Sequence, residues 1–134
     1  MQFLIAYLVT VVVFLVIDYI WLGIIMKDYL QTQLGHLMVD EVNLTIAAFF
    51  YLFFAAGIVL FCVMPAFEAQ SWIKAAVLGG ILGFLAYGTY DVTNMATLKD
   101  WPVMMSVIDI AWGTTLTAVS ATAGYVVTNM LMSS

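Results

Sequence analysis

Residues 3–26 read FLIAYLVTVVVFLVIDYIWLGIIM, an apolar run broken by one charge, Asp18, and closed by Lys27. A helix of about 20 mainly apolar residues crosses the hydrocarbon of a bilayer, whereas a barrel strand needs only about ten, alternating in polarity. The length and continuity of this run therefore predict a transmembrane helix. No Lys or Arg precedes Phe3, no small-residue cleavage pattern follows it, and the run outlasts the core of a signal peptide, so it is expected to remain as helix one. Neither end carries a lipidation pattern.

Three more runs repeat the pattern. Helix two is expected over 44–64, uncharged and closed by Pro65, which continues a helix poorly. Helix three spans about 73–98 and contains Asp91. Helix four spans about 103–131 around Asp109, with Pro102 suited to its first turn. The connections between helices two and three and between three and four are short, so those neighbours form antiparallel hairpins. The first connection, Lys27 to Asn43, carries Tyr29, Leu30, Leu34, Leu37 and Met38 among polar residues, a spacing that fits a short interfacial helix as well as an ordered loop. The expected fold is an all-α membrane protein, a single domain over 1–134 built as an antiparallel four-helix bundle.

Composition agrees. Hydrophobic residues make up 66% of the chain and charged residues 8%, with a mean hydropathy of +1.12; a soluble domain carries about 25% charged residues. Eight acids stand against three lysines and no arginine, a net charge of −5. There is thus no basic patch for nucleic acid and no polybasic lipid tether. Cys62 is alone, so it forms no internal disulfide and no thiolate metal site. Lys27 and Lys99 fall on one membrane face, called face B, and Lys74 with the amino terminus on the other, face A. That near tie leaves the cytoplasmic side open.

The spans hold three aspartates at one depth. Asp18 lies nine residues before Lys27, Asp91 eight before Lys99 and Asp109 nine after Asp100. At about 1.5 Å rise per residue, all three sit about 12 to 14 Å from the charges at face B. Tyr51 brings a polar group from helix two to the same level. In helix three, Gly79, Gly83, Tyr87 and Asp91 recur every fourth residue, with Asn94 three further on; in helix four, Ser106, Asp109, Gly113, Thr117, Ser120 and Gly124 form a comparable stripe. Small residues admit a neighbouring backbone, so these faces are expected to meet in the bundle.

A carboxylate at the bilayer centre costs about 2.5 to 3.5 kcal/mol on insertion scales. No intramembrane Lys, Arg or His is there to pair with the acids, since Lys74 stands at the face A end of helix three. The remaining options are protonated, hydrogen-bonded acids, a bound cation, or a water-filled vestibule. A single intramembrane Asp often only ties two helices together, but three at one level favour a functional site. Candidate binding or proton-exchange residues are Asp18, Asp91, Asp109, Tyr51, Tyr87, Asn94, Trp21 and Trp112. The two tryptophans stand three residues after Asp18 and Asp109 in a repeated Val-Ile-Asp-x-x-Trp pattern, where they either face a cation or simply pack. His36 lies near Asp40 and Glu41 in the first connection, more in keeping with an exposed interfacial histidine than a metal ligand. The nine methionines are read as packing rather than soft-metal ligands. Phosphate loops, zinc-ligand spacings and nucleophile elbows are absent, and no cofactor is predicted beyond a bound cation.

With these residues placed, the chain resembles a bacterial family of predicted inner-membrane proteins, domain-of-unknown-function family 2177. The resemblance runs over nearly the full length and is most specific in AYGTYDVTNMATLKDWP at 86–102, supported by Asp18-Tyr-Ile-Trp-Leu-Gly and Asp109-Ile-Ala-Trp-Gly. It implies a small multi-pass protein of the bacterial inner membrane and carries no catalytic residues across.

Three functions compete. In the first, the aspartates bind or transport a proton, metal ion or small cationic solute. Size and helix number are similar to those of small multidrug-resistance transporters, although these use a glutamate in helix one and no Glu falls within the expected spans here. In the second, a membrane-embedded enzyme uses two of the aspartates as acid and base on a lipid or isoprenoid-like chain. Intramembrane proteolysis is disfavoured, because Ser-Val-Ile precedes Asp109 in place of Gly-x-Gly. In the third, the chain is an accessory subunit among membrane lipids, and Gly79 and Gly83 pack against a partner or a second copy.

Overall fold

The computed structural model describes residues 1–35 and 44–133. His36, Asp40 and Glu41, together with Leu37 and Met38, lie outside the described residues. Helix α1 (Gln2–Ile20) runs on through a π-helical turn at Trp21–Ile25, and α2 (Lys27–Leu34) is a short helix beyond it. Helix α3 (Leu44–Ile58) continues through a second π-turn, Val59–Val63, into α4 (Met64–Ala69). Helices α5 (Trp72–Thr97) and α6 (Val103–Ser133) complete the described chain. Four of these stretches are long and apolar enough to cross a membrane: Gln2–Ile25, Thr45–Ala69, Trp72–Thr97 and Val103–Met132. They form the expected antiparallel bundle, and α2 supplies a short helix in the first connection.

The second span departs from expectation. It does not end at Met64 but runs through Pro65 to Ala69, so Glu68 falls in its last turn and the connection to α5 shrinks to Gln70 and Ser71. Proline lacks the N–H that an α-helix needs and crowds the preceding turn. Widening that turn to π geometry, with the N–H of Met64 bonded to the carbonyl of Val59, absorbs the misfit without breaking the helix. The stop comes instead from Gln70, which takes a left-handed conformation at φ 51°, followed by Ser71, whose hydroxyl accepts from the Lys74 N–H at 3.2 Å and caps α5.

Packing is closest between α5 and α6, with α1 against the other side of α6. Ala75, Gly79 and Gly83 form the buried stripe of α5. A methyl group at Gly79 would sit 2.8 Å from the Thr117 carbonyl oxygen, and one at Gly83 would meet the Gly113 carbonyl, so only glycine permits this approach. The Gly79/Gly83 face is therefore occupied by α6 of the same chain.

Helix α3 is unevenly engaged. Its first half rests mainly on α1, through Tyr51 and Phe54 around Phe14, while the π-turn and α4 pack against both α5 and α6. The buried core follows this asymmetry, with Ile58, Val59, Val63 and Ala66 joined to Ala6, Phe14, Leu116 and Ala121. Large apolar side chains cover the outside, including Phe49, Phe53, Leu60 and Phe84. Hydrocarbon suits such a surface and water does not.

Candidate functional site

Each of the three aspartates reaches the bundle centre from a different helix. On α1, Ala6, Thr10, Phe14 and Asp18 recur every fourth residue and make up its buried face, so Asp18 points inward by helical period alone. Asp91 closes the α5 stripe one turn beyond Tyr87 and is fully buried. Asp109 extends from the α6 stripe and is half-buried. Asp91 lies six residues inside the end of its span and Asp109 six inside the start of its own, about 9 Å at helical rise. The spans outreach a hydrocarbon core of about 30 Å, so the acid layer lies only about 5 Å below the face B boundary.

The side chains of Asp91 and Asp109 face one another, and the charge of Asp109 is felt at the Asp18 carboxyl. Neither oxygen of Asp91 makes a well-formed hydrogen bond. Asp18 is better supplied. Trp112 Nε1 donates to its Oδ1 in a long hydrogen bond of 3.4 Å, and the Tyr51 hydroxyl is directed toward the same carboxyl. Tyr87 also lies among these groups, with its ring seated where a side chain on Gly113 would stand. The bare Gly113 is what makes room for that ring.

Asn94 and Trp21 have other partners. Asn94 is directed at the Tyr90 hydroxyl rather than at a carboxylate. Trp21 stacks face to face on Trp112, 4.1 Å apart with 7° between the ring planes. At that spacing the two rings fill each other's faces, leaving no gap for a cation between them. The stacking holds Trp112, whose N–H is bonded to Asp18, against Trp21. The bond between the Met26 N–H and the Trp21 carbonyl, which closes the π-turn, brings Trp21 to this position.

Several contributors were not singled out from the sequence. Trp101 donates through Nε1 to Ser106 Oγ at 2.7 Å and meets Tyr90 edge to face, closing the α5–α6 hairpin above the acids. Phe14 forms the floor beside Tyr51. Thr10 is fully buried beneath it; its only sequence signal is a hydroxyl residue on the Asp18 face of an apolar helix. Among the described residues, no group of three or more His, Cys, Asp or Glu side chains is arranged to hold a metal ion. The site is thus an interacting acid pair with a third carboxyl and two tyrosines alongside, an arrangement suited to holding a proton or a single positive charge.

No curated protein and no solved structure matches the chain. Residues 3–126 match the family described as Predicted membrane protein (DUF2177), and with four spans through nearly that whole stretch, the chain is a membrane protein belonging to that family.

Proposed function

We propose that the protein binds or transports a small cationic solute in exchange for protons, in the bacterial inner membrane, with Asp91 and Asp109 as the exchanging pair. The observation that carries this reading is a fully buried carboxyl, Asp91, whose oxygens lack well-formed hydrogen bonds and whose nearest acidic neighbour is a second carboxyl on the adjacent helix. Two such groups resist carrying charge together, so the pair holds a proton until a positive charge replaces it. A cation entering and a proton leaving keep the charge of the site constant. Asp18, supported by Trp112 and Tyr51, supplies a further acceptor beside the pair. A metal ion is the weaker cargo because, among the described residues, no three His, Cys, Asp or Glu side chains are arranged to hold one.

The test uses purified protein in weakly buffered detergent with tetraphenylphosphonium and a series of primary and quaternary amines as probes. A pH-sensitive dye should report proton release on addition of at least one cation, with the release abolished in Asp91→Asn. Release of equal size in that variant, or none with any probe, would refute the exchange.

A further inference from the structure

A threonine or serine in a helix either returns its hydroxyl to the carbonyl four residues back or directs it at a neighbour. Helix α6 does both, sorted by face. Thr114, Thr115 and Thr122 donate to Ile110, Ala111 and Ala118 at 2.7 to 2.9 Å. Thr117, Ser120 and Thr128 point inward, are fully buried and make no hydrogen bond. Thr10 of α1 behaves in the same way, its Oγ1 lying against Gly124. A buried hydroxyl without a partner is costly, more so in hydrocarbon, and the bond to its own helix is within reach at every one of these positions. Four hydroxyls forgoing it along one line need an occupant that both donates and accepts.

That line has a direction. It starts at Thr117, two turns past Asp109, and ends at Thr128, one turn from the end of the span at Met132, a distance of about 16 Å at helical rise. Tyr87, over Gly113, stands between Thr117 and the acids. The titratable groups at this inner end are Asp18, Asp91, Asp109, Tyr51 and Tyr87.

We infer that Thr10, Thr117, Ser120 and Thr128 line a hydrated file that gives water and protons a route from face A to the aspartate layer, with Tyr87 closing its inner end. Each hydroxyl donates and accepts, so single waters between them make a continuous hydrogen-bonded chain. Exchange needs access to both sides. The acids lie close to face B, and the file supplies the longer route. Its use by protons rests on the exchange reading above, whereas its hydration does not.

Radiolysis of water in place, by a millisecond X-ray pulse on the full chain in lipid vesicles, tests the hydration, since the hydroxyl radicals modify only side chains that touch water. Phe14, one turn from Thr10 and 1% exposed in the structure, should be modified at least tenfold faster than the lipid-facing Phe53. Modification of Phe14 should fall at least fivefold in the double variant Thr117→Val, Ser120→Ala, and stay unchanged in Thr115→Val, whose hydroxyl is already bonded to its own helix. Phe14 reacting no faster than Phe53, or equally in the double variant, would overturn the file and show dry packing. Cation-linked proton release in detergent separates the two ideas. Release dependent on Asp91 with an unreactive Phe14 removes only the file, and a reactive Phe14 without release removes the proton exchange and leaves a water path.

Discussion

Asp91 and Gly113 show how single residues govern the site. A cation held by the Asp91–Asp109 pair displaces a proton, so acid must compete with it. Apparent affinity for a responding cation should fall as pH drops, approaching about tenfold per pH unit when one proton leaves per cation bound; isothermal titration across pH measures the slope, and a flat profile contradicts the exchange. Gly113 acts through space alone, because a methyl there would collide with the root of the Tyr87 ring, which cannot swing aside cheaply. Gly113→Ala should cost about 1 to 3 kcal/mol, the usual cost of overpacking. Thermal unfolding in detergent would show it, and an unshifted midpoint would mean that Tyr87 does not occupy that space. Thr10 carries a further lesson at this scale: one hydroxyl in an apolar helix is easily read as tolerated polarity, until Gly124 is found against it.

At the level of elements, each helix end has its own chemistry. Ser71 caps α5 with a side-chain bond to the Lys74 N–H, and Ser71→Ala should lower stability by about 1 kcal/mol. Gln70 holds a left-handed conformation that glycine adopts without strain, so Gln70→Gly should stabilise by up to about 1 kcal/mol. Opposite shifts of the melting midpoint in these two variants are the expected result, and a gain from Ser71→Ala would discount the cap. The π-turns at Trp21–Ile25 and Val59–Val63 are elements of a different kind. One sets Trp21 over Trp112, and the other carries the second span past Pro65 so that α4 packs on both α5 and α6.

For the molecule as a whole, the lipid-facing surface determines where the protein is stable. Leu60 lies at mid-span and is 55% exposed. Arginine there would meet hydrocarbon and should cost about 3 kcal/mol on insertion scales, whereas Leu60→Phe should be neutral. Membrane-inserted yield of the two variants, read from carbonate-washed membranes, checks this, and equal yields would argue that the outer face of the second span is covered by protein. The internal use of Gly79 and Gly83 bears on the same scale. With that face buried against α6, a side chain at either glycine would push α5 away from α6.

The apolar runs, their length and the scarcity of charge were enough to establish four membrane-crossing helices, because in hydrocarbon a backbone must bond within its own segment. Depth was equally legible: helical rise is constant, so counting residues from Lys27, Lys99 and Asp100 placed Asp18, Asp91 and Asp109 at one level. Helical period also indicated the inward faces of α5 and α6. Tertiary structure alone decided which groups meet across helices, since rotation and tilt come from packing. It paired Asp91 with Asp109, set Trp112 on Asp18, closed Trp21 against Trp112 and turned Asn94 toward Tyr90. It also carried the second span through Pro65, because a π-turn lets neighbouring packing keep a helix that local propensity would end.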